Sequence, residues 1–166
     1  MDVLDEQLLQ FLDILNKNNV HYIMVGSLAT RFHGYNRATD DLHLWLEDNL
    51  QNRKNLRKAF VELNYGDFSS IETMQFIAGR TSFYAAGIEL DIMTEMKGLE
   101  EFSFDECYNI ALRGDINGVI VPFLHINHLI QNKKTVNRLK DQIDVIYLEK
   151  IKKILAEELQ GGQTLE

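Results

Sequence analysis

Residues 22–47 hold the feature that most restricts how this chain can fold: two short apolar strands joined by a glycine turn and a brief helix. A strand over Tyr22–Val25 leads into Gly26-Ser27, and the helix that follows is predicted to close at Gly34. A second strand is predicted over Asp41–Glu47, where apolar and polar residues alternate. Its polar face carries Asp41, His43 and Trp45, and its apolar face carries Leu42, Leu44 and Leu46. A carboxylate and an imidazole on an exposed strand face near a Gly-Ser turn are typical of a site for a metal ion and a phosphate.

The length of the chain indicates a single domain. It has 166 residues, of which 45% are hydrophobic and 25% are charged, as in ordinary soluble globular proteins. We expect one domain over residues 1–160, with a core at about 20–95, a helical C-terminal part at about 100–160 and a disordered tail at 161–166. The final Leu165-Glu166 fits the start of an expression tag as well as it fits a natural terminus.

Cysteine usage and charge restrict the compartment and the class of partner. Cys107 is the only cysteine, so we expect no internal disulfide and a reducing, cytoplasmic location. No apolar run approaches the roughly 18 residues that a membrane span needs. The formal net charge of -8 argues against a surface for extended duplex nucleic acid, which requires clustered Lys and Arg. A small nucleotide remains compatible with that charge, because it brings a cation that acidic residues can bind.

Helices and strands alternate along the chain, which indicates an α+β protein with a small mixed β-sheet flanked by helices and a helical C-terminal segment. Helical spacing of apolar residues predicts helices over residues 3–18, 49–63, 104–112, 125–132 and 136–159. Period-two patterns predict strands over residues 21–25, 41–47, 81–84 and 88–93. Asn117-Gly118 predicts a tight hairpin between two further strands, the second of which Pro122 should end.

Three side chains are candidate metal ligands: Asp41 and His43 on the second strand, and Asp91 on the polar face of the strand over residues 88–93. If these two strands are neighbours, the carboxylates converge and could share a divalent metal ion such as Mg²⁺ or Mn²⁺. An imidazole ligand is unusual for magnesium and more natural for zinc or manganese. The plain alternative is that Asp41 and Asp91 are solvated strand positions and that the metal is absent.

Candidate phosphate ligands lie near the same stretch. Gly26 lets a ligand approach the backbone closely, and Ser27 offers a hydroxyl and an N-cap for the following helix. Arg37, with Thr39, could hold a phosphate through paired hydrogen bonds. Lys133 belongs to a basic cluster at the start of the last predicted helix and could face a triphosphate. The alternatives are an ordinary capped turn, a surface arginine, and lysines that pair with nearby acids, namely Asp141 and Asp144.

Taken together, these pieces resemble the nucleotidyltransferase superfamily, and more narrowly the small bacterial proteins of the minimal nucleotidyltransferase and abortive-infection antitoxin type. That pattern joins a Gly-Ser turn, a helix ending in His-Gly, an Arg-x-Thr segment, an Asp-x-Asp pair and a later carboxylate. The matching residues are Gly26-Ser27, His33-Gly34-Tyr35, Arg37, Thr39, Asp41-Leu42-His43 and Asp91, and downstream Ile116 to Pro122, Leu129-Ile130, Asn132-Lys133-Lys134, Lys140-Asp141 and Asp144. The likeness covers roughly residues 3–150.

The resemblance implies a nucleotidyltransferase-like fold that binds a nucleoside triphosphate and transfers a nucleoside monophosphate to an acceptor, which the sequence leaves open. It implies two metal ions that polarise the α-phosphate. The catalytic carboxylates would be Asp41 and Asp91; the metal ligands would be Asp41, His43 and Asp91; the nucleotide-binding residues would be Gly26, Ser27, Arg37, Thr39 and Lys133.

One position departs from the pattern, because His43 stands where the second Asp is expected. An imidazole offers one nitrogen donor where a carboxylate offers two oxygens and a negative charge, so the transfer should be weak or lost. Three explanations stay open: a lapsed site, a site that uses one metal or a softer one, and a variant or engineered residue. The competing hypothesis is a non-catalytic, antitoxin-like protein that binds a toxin-like protein partner. The sequence is also compatible with a homodimer.

Overall fold

A computed structural model of the protein describes residues 3–38, 41–85 and 87–162. Thr39 and the pair Leu165-Glu166 lie outside the described residues. The helices are α1 (Val3–Lys17), α2 (Gly26–Phe32), α3 (Leu50–Glu62), α4 (Phe104–Ile110), α5 (Ile126–Val136) and α6 (Leu139–Gly162), with a 3-10 turn at Ser69–Glu72. The strands are β1 (Tyr22–Val25), β2 (Asp41–Leu46), β3 (Ser82–Ala85), β4 (Ile88–Met93), β5 (Leu112–Ile116) and β6 (Val119–Phe123).

The described strands form one mixed sheet in the order β3-β4-β2-β1-β6-β5. Three pairs are antiparallel, namely β1 with β2, β3 with β4, and β5 with β6. Two pairs are parallel, namely β1 with β6 and β2 with β4. This confirms the predicted α+β class with a small mixed sheet flanked by helices, and the hairpin at Asn117-Gly118 is confirmed by the pairing of Ile116 with Val119.

The core lies where the central strands meet α1 and α3. α1 packs against α3 and β6, and α2 packs against β1, β2 and α5. The largest fully buried side chains include Phe11, Leu12, Leu15, Ile23, Leu44, Leu56 and Phe60. None of the helices in the described part of the chain is long and apolar enough to cross a membrane.

Two strand predictions need correction. Trp45 was expected on the exposed face of β2, but it is buried: its indole Nε1 donates to the Thr94 carbonyl at 3.1 Å, and its ring meets the edge of Phe104. α4 therefore covers the far end of that face and leaves only its Asp41 end open. Pro122 does not end β6, which runs to Phe123 and pairs Pro122 with Arg113 of β5. A proline fits there because β6 pairs with β1 at Phe123, after the proline, and it is the Leu124 N–H that donates to the Met24 carbonyl.

The junction of the last two helices also differs from the prediction. α5 continues to Val136, and α6 begins at Leu139. The break comes at Asn137, which has a left-handed backbone with φ of 58° and caps α5. Lys133 and its neighbour therefore lie in the last turn of α5, and the basic cluster spans the two helices.

Candidate functional site

The parallel pairing of β2 with β4 brings the candidate metal ligands to one face of the sheet. His43 is the register partner of Asp91, and Asp41 lies two residues before His43 on the same face. Adjacent strands are about 4.8 Å apart, and two residues along a strand span about 6.6 Å. The backbone positions of Asp41 and Asp91 are therefore roughly 8 Å apart. The expected adjacency of the two strands is therefore confirmed, with Asp41, His43 and Asp91 on one face, while a shared metal ion stays a prediction.

His43 is held by a carboxylate and by a glycine. Its Nε2 lies 2.8 Å from Oδ2 of Asp41, so the ring and the carboxylate hydrogen bond along the strand. The ring also rests against Gly26, where an added Cβ would lie 3.2 Å from Cβ and Cγ of His43. Gly26 has φ of 67°, a backbone conformation that favours glycine. The first residue of α2 thus forms the floor under the imidazole.

Asp91 is a buried carboxylate with one oxygen unpaired. Asp91 is only 6% exposed, and its Oδ2 accepts a hydrogen bond from the backbone N–H of Gly79 at 2.9 Å. Oδ1 has no hydrogen-bond partner. Burial raises the pKa of Asp91; the Gly79 hydrogen bond and His43 oppose that rise, and the charge of Asp41 adds to it. A buried carboxylate oxygen without a donor is costly to keep ionised, and a cation at Oδ1 would remove that cost.

The donor chemistry around Asp91 fits a divalent cation, although the described side chains do not form a closed cage. Within the described ranges, no group of three or more His, Cys, Asp or Glu side chains has the arrangement of a metal site. Asp41 and His43 are hydrogen bonded to each other, so both would have to turn toward a shared ion. The unpaired Oδ1 of Asp91 is the atom that already presents a free acceptor.

A second set of charges, which we name the α5–α6 charge cluster, consists of Arg37, Lys133, Arg138, Asp141 and Asp144. Oδ2 of Asp144 accepts from Nη1 of Arg37 and from Nζ of Lys133, both at 2.6 Å. Nζ of Lys133 is also 3.7 Å from Oδ1 of Asp141. Lys133, Asp141 and Asp144 are buried. The predicted alternative of lysine–acid pairing is therefore confirmed for Lys133, and Arg37 is part of the same network.

Arg138 completes this cluster and connects it with the strand site. Its Nε donates to Oδ2 of Asp141 at 2.6 Å, and its backbone N–H donates to the same oxygen at 3.1 Å. Burial alone would raise the pKa of Asp141, but the hydrogen bonds and charge of Arg138 lower it. Asp41 is near enough to add to the raised pKa of Arg138. The sequence analysis did not identify this pair; the spacing of three residues between Arg138, which directly precedes α6, and Asp141 was the signal for it.

The predicted Gly26-Ser27 turn between β1 and α2 is present with one correction, and its role in binding phosphate stays a prediction. α2 begins at Gly26, directly after β1, and its N-cap is Val25 without a side-chain cap, so Ser27 is inside the helix and not its N-cap. The hydroxyl of Thr30 donates to the Gly26 carbonyl at 3.0 Å. Ser27 is half-buried next to the glycine floor of the site. Sequence reasoning also missed Gly79, whose N–H orients Asp91; a backbone donor from a distant turn leaves no side-chain pattern.

Two other candidates have structural roles. The Nε2 of His33 lies 2.7 Å from the Leu124 carbonyl, and burial lowers the pKa of His33, as expected for a packed histidine. Cys107 is buried, and burial raises its pKa to about 11. A surface groove of about 620 Å³ lies along α3, lined by Lys54 and Arg57 among others, and it contains none of the described site residues.

Comparisons with known proteins support the fold. No protein-family model and no curated protein matches the sequence. Among solved structures, the chain is similar to a crystal structure from Thermotoga maritima of a protein provisionally assigned as a nucleotidyltransferase, with a TM-score of 0.57 and 18% sequence identity. The match covers 90% of this chain and 91% of that one. The fold is therefore nucleotidyltransferase-like.

Proposed function

We propose that this protein binds a nucleoside triphosphate and a divalent cation on the open face of β2 and β4, and that it transfers a nucleoside monophosphate weakly or not at all. The observation that carries the proposal is the buried, unpaired Oδ1 of Asp91 beside Asp41 and His43. A buried acceptor without a partner calls for an explanation, and a bound cation would supply the missing partner. The nucleotidyltransferase-like fold supports a metal-bound nucleotide as that ligand.

The proposed roles follow from the positions of the side chains. Asp91 and Asp41 would hold the cation, with His43 as a nitrogen ligand if its bond to Asp41 is exchanged. The bound cation would neutralise phosphate charge and polarise the α-phosphorus. Asp91, whose pKa is raised by burial, is also the candidate base for an acceptor hydroxyl. The weak step is at His43, which contributes no negative charge where two-metal chemistry needs it.

The phosphate groups would meet the α5–α6 charge cluster and the α2 turn. The cluster contains three cations and two carboxylates, which leaves a net positive charge near Asp41. Arg37 and Lys133 are already bonded to Asp144, so they would attract a triphosphate without being free to fork around it. Gly26 and Ser27 would contact the phosphates from the other side, and Thr39 is proposed with them.

The first test is calorimetric titration with nucleoside triphosphate in the presence of Mg²⁺ or Mn²⁺. We expect binding that needs the metal, favours Mn²⁺ and is lost in Asp91→Asn. The control is Asp13→Asn on the surface of α1, where Asp13 only pairs with Lys17, and it should bind as the wild type does. Absence of binding at millimolar nucleotide with either metal would remove the proposal.

The second test restores the missing carboxylate. Pyrophosphate release is compared between the wild type and His43→Asp in the presence of Mg²⁺ or Mn²⁺ and varied acceptors. We expect release to rise by about 10- to 100-fold in His43→Asp, the range over which changes around a metal site alter metal affinity or activity. Equal and measurable release from both proteins would instead mean that His43 works as a native ligand.

A second candidate function is a non-catalytic, antitoxin-like protein that acts through its surface. It is favoured by the bond between Asp41 and His43 and by the pairing of Arg37 and Lys133 with Asp144, which together occupy four predicted ligands. Under this alternative neither the wild type nor His43→Asp binds nucleotide, so the same titration separates the two candidates.

A further inference from the structure

One side of α6 packs on its own domain, and among the described residues the opposite side is covered at Tyr147, whose ring stacks on that of Tyr35 at 4.1 Å. The inner face buries Asp141, Asp144 and Leu148. At 100° per residue, the opposite side presents large apolar side chains within an arc of roughly 100°. These residues are Leu139, Ile143, Ile146, Tyr147 and Ile154, and each is between 43% and 75% exposed. A helix already packed on one side has no need of exposed large apolar side chains on the other, so these residues indicate an interaction surface.

The C-terminal part of α6 extends beyond the domain. Ile151 is the last half-buried residue, and residues 152–162 are all exposed. A helical end of this length gains little stability from its own hydrogen bonds in water, and protein helices are stabilised chiefly by packing of an apolar face. The extension therefore presents Ile154 on a segment that its own domain leaves uncovered.

We infer that this surface pairs two copies of the chain through antiparallel packing of α6 on α6. The outer stripe at its centre consists of Ile143, Tyr147, Lys150 and Ile154, with spacings of four, three and four residues. This series of spacings is the same when it is read from either end. A twofold axis near the middle of α6 therefore sets Ile143 of one copy against Ile154 of the other, and does so twice.

Charge along α6 favours the same pairing. The register that joins positions 143 and 154 also places Lys140 of one copy beside Glu157 of the other. Glu157 has only a long, exposed contact of 4.0 Å with Lys153 in its own chain, so it can take a second partner. Lys150 lies over the Tyr147 ring at 5.5 Å within one chain, and in the pair it also faces the partner's Tyr147. A parallel pair would instead oppose Lys140 to Lys140 and Glu157 to Glu157.

This inference does not depend on the proposed nucleotide site. Sedimentation over a range of chain concentrations should show a reversible dimer. Ile154→Asp, on the extension that carries no core contacts, should abolish the dimer without loss of folding. Leu50→Asp at the start of α3 is the matched control, because Leu50 is 55% exposed and Ile154 is 54% exposed; it should dimerise like the wild type.

Charge reversal tests the register. Lys140→Glu and Glu157→Lys should each weaken the dimer about fivefold, since each replaces two exposed ion pairs with two like-charge contacts. The double variant with both changes should recover the wild-type constant, because every pair is restored with its sign exchanged. Failure of the double variant to recover would overturn the proposed register.

Cysteine cross-linking tests the direction of the helices. Ile143→Cys and Ile154→Cys proteins, mixed and oxidised, should form a mixed disulfide, while neither should cross-link alone. The two copies of position 143 are about 16 Å apart along the pair, beyond the reach of a disulfide. Cys107 does not interfere because it is buried. A wild-type monomer at millimolar concentration, or self-linking of Ile143→Cys, would overturn the inference.

Discussion

Two regions of this molecule contain buried aspartates, which differ in how fully their carboxylates are paired and in the direction of their pKa shifts. On the strand face, Asp91 has one hydrogen bond, one unpaired oxygen and a pKa that burial raises. In the α5–α6 charge cluster, Asp144 bonds to two cations, and the pKa of Asp141 is lowered by Arg138 against the effect of burial. Removing a fully paired buried carboxylate leaves its cationic partners uncompensated, whereas a carboxylate that is buried and half-paired is kept at a cost that a ligand can offset.

The largest effect is expected when Asp144, the carboxylate shared by two cations of the α5–α6 charge cluster, is replaced. Asp144→Asn leaves Arg37 and the buried Lys133 without their shared carboxylate, so unfolding in denaturant should show a loss of about 3–5 kcal/mol. The control is Glu149→Gln, which removes the exposed partner of Lys134 on the same two helices and should cost less than about 0.5 kcal/mol. Equal losses in the two variants would mean that burial does not distinguish these pairs.

Substitution of Gly26 tests how closely the backbone at this position packs against the His43 ring. Gly26→Ala introduces a side chain at positive φ and 3.2 Å from His43, so it should cost about 2 kcal/mol. Gly118→Ala in the β5–β6 turn has positive φ but open space around the new Cβ, so it should cost about 1 kcal/mol. The difference in unfolding free energy measures the contact with His43. If the two costs are the same, the imidazole moves aside freely.

The free energy of unfolding, measured against pH in acid, should depend on the ionisation of Asp141 in the α5–α6 charge cluster. The folded pKa of Asp141 lies below its unfolded value, so its contribution is complete above the unfolded pKa and is lost as pH falls through the folded pKa. Asp141→Asn should reduce the slope of unfolding free energy against pH in that acid window by up to about 1.4 kcal/mol per pH unit. An unchanged slope would show that Asp141 is not preferentially ionised in the folded state.

The smallest expected effect has the opposite sign. Because burial disfavours the ionised form of Asp91, Asp91→Asn should leave the metal-free protein as stable at neutral pH or stabilise it by up to about 1 kcal/mol. An amide oxygen can still accept the Gly79 N–H. Thermal unfolding without metal checks this, and we expect added Mn²⁺ to raise the Tm of the wild type but not that of Asp91→Asn. A large loss of stability would place Asp91 with the structural aspartates.

Much of this architecture could be predicted because its signals are local. The alternation of Leu42, Leu44 and Leu46 fixes the inward face of β2, and Asn117-Gly118 fixes a hairpin. The errors arose where distant parts of the chain meet. Trp45 has the spacing of an exposed residue, but α4 covers it. Ser27 has the composition of an N-cap, but the chain enters α2 directly from β1 at Gly26.

The candidate site divides in the same way. The residue types and their strand faces came from period-two spacing, which is a property of any strand whatever its neighbours. The pairing of Arg37 with Asp144, 107 positions along the chain, had no sequence signal, since ion pairs between separate elements depend on packing.

The sequence by itself determined the order of helices and strands and the two faces of each strand. Only the tertiary structure decided that β4 lies parallel beside β2 with Asp91 opposite His43. It also decided that the Gly79 N–H bonds to one oxygen of Asp91 and that Lys133 forms an ion pair with Asp144. The physical reason is range: backbone periodicity and turn chemistry act within a few residues, whereas strand neighbours, burial and ion pairing depend on how the whole chain packs.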